Sequence, residues 1–258
     1  MVAGLQNFPE TPTTRIYFDV SEPAKYYTAA VSALRPVSYL MGELLDSSDE
    51  TSIAVAAYNT RVNSYLAAFG NTVDLWEIGN EVNGNWLGKY STVEAKLTVG
   101  YNDVAAAGKR SALTLYYNAR CGDGSSELDP LAFSRSYVPA AVRSGLDYVL
   151  LSYYEDDCNG IRPSAATWTA YFQQLHALYP NARLGFSEIG LNDPATARTL
   201  SSAESLVRYY YGLKVNLPYF VGGSFWWYFA EDALPYPSKP LWTALQAGFQ
   251  AQAAAYTG

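Results

Sequence analysis

Histidine is almost absent from this chain. One histidine stands among 258 residues, His176, in the helix-patterned segment YFQQLHALYP. A Ser-His-Asp triad or a histidine-rich zinc site would have to rest on that residue alone. Its setting reads instead as a packed or helix-surface histidine. GFSEIG at 185–190 misses the G-x-S-x-G spacing of a nucleophile elbow. There is no G-x-G-x-x-G and no P-loop, so a nucleotide has no cradle. No cofactor and no metal centre are expected, a carboxylate-only Mg²⁺ or Ca²⁺ site being the alternative.

Positive charge is also scarce. The net charge is −7 and no stretch is rich in Lys or Arg. Nucleic acid needs a basic patch, and anionic membranes are disfavoured on the same ground. No apolar run reaches about 18 residues, so no transmembrane helix is expected. The start, MVAGLQNF, lacks the basic end and long apolar run of a signal peptide.

Cysteine is limited to Cys121, in NARCGDG, and Cys158, in EDDCNG. Free cysteines are usually buried, yet both lie in polar, Gly-containing loops after predicted strands. A disulfide between them is the expectation, and with it an oxidising, secreted setting. The alternative is two unrelated thiols.

What the chain does have is a repeat. Strand-like apolar runs begin near Thr14 (TRIYFDV), Val37 (VSYLMGELL), Val73 (VDLWEIG), Ala112 (ALTLYYN), Asp147 (DYVLLSYY), Arg183 (RLGFSEIG) and Phe220 (FVGGSFWWYF). From the second onward the starts are 36, 39, 35, 36 and 37 residues apart. Segments of helical periodicity lie between them, such as SIAVAAYNTRVNSYLAAF and VEAKLTVGYNDVAAAGK. Strands alternating with amphipathic helices predict an α/β fold with a parallel sheet. Units of this length suit a (β/α)₈ TIM barrel forming one catalytic domain over 1–258. The eighth strand would be VAGLQNF at the N-terminus. Only PETPT separates it from TRIYFDV, so the first βα unit is expected to be reduced or truncated.

In such a barrel, chemistry sits at the C-terminal ends of the strands. Those ends carry Asp19, Glu43, Asp46, Asn80, Glu81, Asn118, Tyr154, Glu155, Glu188, Trp226, Trp227, Glu231 and Asp232. Carboxylates, amides and aromatic rings on one rim suit sugar chemistry. Cleaving a glycoside needs one carboxylic acid to protonate the leaving oxygen and a second to attack or to activate water. Counting VAGLQNF as the first strand puts Glu81 on the fourth and Glu188 on the seventh, facing each other across eight. Glu43, Asp46, Glu155, Glu231 and Asp232 are read as sugar-binding, loop-ordering or solvated. Trp76, Trp168 and Trp242 are read as packing.

IGNE at 78–81 and GFSEIG at 185–190 resemble the two signatures of the retaining glycosidases of glycoside hydrolase clan A, in particular the family 5 cellulases and mannanases. The resemblance covers most of the chain from Arg15 onward. It implies Glu81 as acid/base and Glu188 as nucleophile, with Asn80 on the sugar 2-hydroxyl. It further implies that Arg15 and Tyr154 support the nucleophile, and that Trp226 is the platform under the sugar. Trp227 faces the other way on an alternating strand, so only one of the two can fill that role. Trp86 would hold the leaving group, and Asn118 is a further candidate contact. The chain departs from many family 5 enzymes at Ser152, where they place a histidine, and at MGELLD, near which they carry another.

The resulting expectation is a secreted, monomeric endo-β-glycanase acting by double displacement on a polysaccharide or oligosaccharide. Glu188 would be ionised and Glu81 protonated, with a raised pKa. The two carboxyl groups would stand about 5 Å apart, as retention requires. Short loops favour internal attack. A sugar-binding pseudo-enzyme of the same fold is the alternative, and a transglycosylase the third reading.

Overall fold

The computed structural model describes residues 1–118, 128–191 and 199–256, the last three without side chains. Six strands form one all-parallel sheet in sequence order. They are β1 (Thr13–Tyr17), β2 (Tyr39–Glu43), β3 (Leu75–Glu77), β4 (Ser111–Tyr116), β5 (Tyr148–Tyr154) and β6 (Arg183–Gly190). Helices return the chain between them. The main ones are α3 (Val55–Phe69), α4 (Tyr90–Ala106), α7 (Ala165–Leu178) and α8 (Leu200–Tyr211), with α10 (Pro240–Tyr256) at the end. α1 (Val2–Leu5) and α2 (Thr28–Leu34) precede these, α5 (Pro130–Tyr137) and α6 (Ala140–Gly145) follow β4, and α9 (Phe229–Ala233) precedes α10.

Parallel strands buried on both faces read as nearly continuous apolar runs. Side chains still alternate between faces along each strand. Leu40, Trp76, Ile78, Leu113, Leu115, Val149, Leu151 and Tyr153 point outward into the large core beneath the helices. Met41, Leu75, Ala112 and Leu150 form a separate small cluster, with Tyr148 and Phe225 packed against it. Their register partners run Met41↔Leu75 between β2 and β3, and Ala112↔Tyr148 and Thr114↔Leu150 between β4 and β5. This cluster plugs the inner face. Two residues further along the same strands stand Glu43, Glu77, Thr114 and Ser152. The two-residue period thus lays a polar layer directly over an apolar plug.

Two predicted strands are corrected. VAGLQNF is not a strand: Val2–Leu5 is a short helix. Gly4, Leu5 and, just past the helix, Phe8 are the buried residues of this segment, a helical rather than an alternating spacing. Phe8 stacks on Phe249 of α10 with ring centroids 4.3 Å apart. FVGGSFWWYF follows β6 in parallel, but its pairing is confined to isolated bridges, Leu184↔Phe220 and Ile189↔Trp226, with one bond between them from the Phe186 N–H to the Gly222 carbonyl at 2.7 Å. Gly222 and Gly223 both have positive φ, 68° and 75°, which breaks a regular ladder. Among the described residues no backbone hydrogen bond joins this segment to β1. The architecture is therefore a curled six-strand sheet with a seventh, irregular segment, not a complete eight-strand ladder. No helix is long and apolar enough to cross a membrane among the described residues.

Candidate active site

The polar layer is organised around one cation. Arg15, on β1, reaches three carboxylates from three other strands. It donates through Nε and Nη2 to Glu77 at 2.5 and 2.9 Å. Its Nη1 lies 2.8 Å from Glu188 Oε1, and its Nη2 lies 3.2 Å from Glu43 Oε2. Glu77 is fully buried and also accepts from Thr114 Oγ1. Glu43, its register partner, is equally buried, but neither of its oxygens has a hydrogen bond. Burial pushes Glu43 well above the usual carboxylate range, against the pull of Arg15. Glu43 is thus neither solvated nor a sugar contact; it belongs to the wall beneath the cleft.

Glu188, near the end of β6, is 3% exposed. Three side chains hold it. Arg15 and Asn80 Nδ2 both meet Oε1 at 2.8 Å, and the Tyr154 hydroxyl donates to Oε2 at 2.8 Å. Burial raises the Glu188 pKa, while the Arg15 charge and the Tyr154 hydrogen bond pull it down.

Glu81 lies four residues past the end of β3. Its φ is +46°, a left-handed conformation that costs a non-glycine residue about 1–3 kcal/mol and is most often tolerated at functional sites. Both carboxyl oxygens are engaged, Oε1 by Ser152 Oγ and Oε2 by Ser47 Oγ at 3.0 Å. No cation touches it among the contacts of the described residues. Burial, and then the nearby Glu188 charge, push its pKa up to about 8, against the two serines.

A cleft of about 380 Å³ opens over both glutamates. Asp46, Ser47, Asn80, Trp86, Tyr116, Tyr154, Asp157 and Trp227 share its walls. Trp227 faces the cleft, and the Arg15 guanidinium lies 5.4 Å from its ring. Trp226 does not line it. That indole is 5% exposed and donates to Asp232 at 2.9 Å, so of the two tryptophans Trp227 is the platform candidate. Trp86 is 41% exposed and packs edge-on against Tyr116. It folds over Gly84, where a Cβ would stand 2.5 Å from the indole, so only glycine allows this pose.

Asn118 and Glu155 fall outside the cleft wall, and Asn80 is engaged within it. Asn118 is buried beyond β4, its carbonyl oxygen 3.1 Å from Cys158 Sγ. Asn80 faces the cleft, but its amide is shared between Glu188 and the Ser47 backbone N–H, 3.1 Å from Oδ1. Glu155 orders a loop: Arg162 pairs with it at 2.6 and 2.9 Å, and Tyr210 donates to it at 2.9 Å. His176 stacks flat on Tyr219, with centroids 3.6 Å apart. Cys121 lies outside the described residues; Cys158 is buried. Among the described residues no group of three or more His, Cys, Asp or Glu is placed to hold a metal ion.

Sequence reasoning missed Glu77, Ser47 and the contact of Ser152. Glu77 hid inside VDLWEIG, read as one apolar run. Leu75 and Glu77 share its inner face, and that alternation was the available signal. The serines carried no signal, because their role depends on which loop and strand meet Glu81.

No protein-family model matches the chain, and no curated protein matches it. Solved structures do share its fold. A GH10 xylanase from Bispora sp. MEY-1, solved with xylobiose, is similar at a TM-score of 0.53 and 15% identity, over 87% of this chain and 79% of that one. A modular endo-β-1,4-mannanase of glycoside hydrolase family 26 from Cellulomonas fimi is similar at 0.52 and 12%, over 91% of this chain and 60% of that one. Neither is a family 5 enzyme. At these identities the likeness is one of fold, shared with two glycoside hydrolases.

Proposed function

We propose that this chain is a retaining glycoside hydrolase that cleaves β-linked glycosidic bonds by double displacement. The observation that carries the reading is the contrast between two buried glutamates under one cleft. Glu188 has a cation, an amide and a phenol, Arg15, Asn80 and Tyr154, that favour its anion against burial. Glu81, touched only by hydroxyls, keeps its proton to about pH 8. In the first step Glu188 attacks the anomeric carbon as Glu81 gives its proton to the leaving oxygen. In the second, Glu81 takes a proton from water, which displaces Glu188 with net retention. The roles require carboxyl groups about 5 Å apart.

The reading extends to an internal attack on a neutral β-glycan, with Trp227 under the sugar beside Glu188 and Trp86 on the leaving-group side. It includes a secreted, monomeric, single-domain protein closed by a Cys121–Cys158 disulfide. Its likeness to clan A rests on the Glu81 and Glu188 motifs and on the fold shared with the xylanase and the mannanase.

The test is a panel of aryl β-glycosides and β-glycans, with the anomer of the first product read by NMR. Glu188→Ala and Glu81→Ala should each abolish turnover of the unactivated substrates. Inverted product would reassign the mechanism. Full activity in either variant would remove that glutamate from the chemistry. Sugar binding without turnover in the parent protein would identify a pseudo-enzyme instead.

A further inference from the structure

The two hydroxyls on Glu81 are not equivalent, and the difference bears on which oxygen gives the proton. Ser152 is fully buried on β5, fixed in register between Tyr116 of β4 and Glu188 of β6. It does not line the cleft. Ser47 does line it, at the start of a short 3₁₀ turn, Ser47–Asp49, just beyond β2. The backbone of this turn is well anchored. Asp46 caps it through the Ser48 N–H at 2.8 Å, and Asn80 Oδ1 accepts the Ser47 N–H. Just beyond the turn, Lys96 of α4, 2% exposed, bonds the Glu50 carbonyl and lies 3.1 Å from its carboxylate. The Ser47 hydroxyl itself needs only one χ1 rotation to leave Glu81.

We propose that Ser152 is a positioning residue that anchors Glu81 Oε1, while Ser47 holds Oε2 only until the glycosidic oxygen of the substrate displaces it. This rests on the glycosidase reading above. A serine hydroxyl both donates and accepts. When Glu81 is protonated on Oε2, that O–H donates to Ser47 Oγ, an oxygen acceptor like the glycosidic oxygen. Substrate takes the same proton from the same atom. The C–O bond breaks, its electron pair goes to the leaving oxygen, and that oxygen keeps the proton. Glu188 forms the new bond to the anomeric carbon. Glu81 is left a carboxylate, and both serines then face it as donors. Oε1 stays on Ser152 throughout, so the direction of Oε2 does not change.

The experiment compares two aryl β-glycosides of the sugar that the parent protein cleaves. One carries a dinitrophenyl leaving group, which departs without acid help; the other carries phenol, which does not. Ser152→Ala should lower kcat/KM about tenfold or more on the phenyl glycoside, with a clearly smaller loss on the dinitrophenyl one. Its alkaline limb should move to higher pH, because a donor to the carboxylate is gone. Ser152→Thr, which keeps a hydroxyl, should restore the leaving-group response. Ser47→Ala should lower KM for the phenyl glycoside, since its competitor is removed, and move the alkaline limb the same way. Equal losses on both glycosides in Ser152→Ala, or a raised KM with an unmoved limb in Ser47→Ala, would overturn the assignment. Should Ser152→Ala fail to fold, the Ser47→Ala and Ser152→Thr arms decide. A parent protein that turns over no glycoside defeats the glycosidase reading itself, which is a separate outcome.

Discussion

The two glutamates of the cleft are both buried and oppositely furnished. Glu188 sits in a charged network: a guanidinium, an amide and a phenol converge on it, and two more glutamates compete for the same guanidinium. Glu81 sits among hydroxyls on a strained turn. The lesson is that burial alone does not set a carboxyl's role. Desolvation raises both, and the partners then separate them.

The largest expected effect breaks the charged side. Arg15→Met would leave Glu77 and Glu188 buried without their cation, and breaking a buried pair this way costs about 3–5 kcal/mol. Urea unfolding at neutral pH measures it. A loss below 1 kcal/mol would mean that water reaches the cluster.

The next prediction tests the hydroxyl side by pH. The folded-state pKa of Glu81 is about 8, while an unfolded glutamate titrates near 4.3. The folded chain therefore holds a proton that the unfolded chain gives up. The stability from Glu81 is fully present below about pH 4.3 and is lost as pH rises through about 8. Glu81→Gln cannot ionise, so its melting temperature should gain on the parent across that window and level off above it. Burial also raises Glu188, but Arg15 and Tyr154 oppose it, so Glu188→Gln should gain on the parent in the same direction but by less. Equal gains in the two variants would erase the contrast.

Tyr154→Phe should have a smaller effect. It removes one donor from Glu188, a hydrogen bond to a charged group worth about 1.5–3 kcal/mol. kcat should fall about tenfold or more, and the acidic limb of kcat/KM should move to higher pH. The smallest effect belongs to the half-exposed platform. Trp86→Ala should raise KM a few-fold, on the order of 0.5–1.5 kcal/mol of lost ring contact. Trp227→Ala should cost more, as that ring also packs over Arg15. The reverse order would exchange their roles.

Much of this was legible in the chain. Six of the seven strand runs form the ladder, and Glu81, Glu188, Arg15, Asn80 and Tyr154 meet in one place as IGNE, SEIG, TRIY and SYYE suggested. FVGGSFWWYF failed as a regular strand because two successive glycines take positive φ. VAGLQNF failed because a seven-residue apolar stretch does not distinguish helix from strand, and its buried residues follow the helical spacing. Trp226 and Trp227 alternate, so one had to face the cleft. Which one depended on the irregular path after Gly223. Asn118 was a plausible rim amide, but it is buried and does not line the cleft.

By itself, the sequence determined the parallel α/β alternation, the rim position of the two glutamates and the net negative charge with no Lys- or Arg-rich stretch. These follow from periodicity and composition, which are local. Tertiary structure alone decided that Glu77 shares Arg15 with Glu188, that Glu43 lies without a hydrogen bond beside them, and that Ser47 and Ser152 clasp Glu81. Each joins residues far apart in the chain, from the 28 positions between Arg15 and Glu43 upward, brought together by strand register and loop packing. The protonation of two buried carboxyls depends on such neighbours, because charge in a dry interior is governed by what lies within a few ångströms.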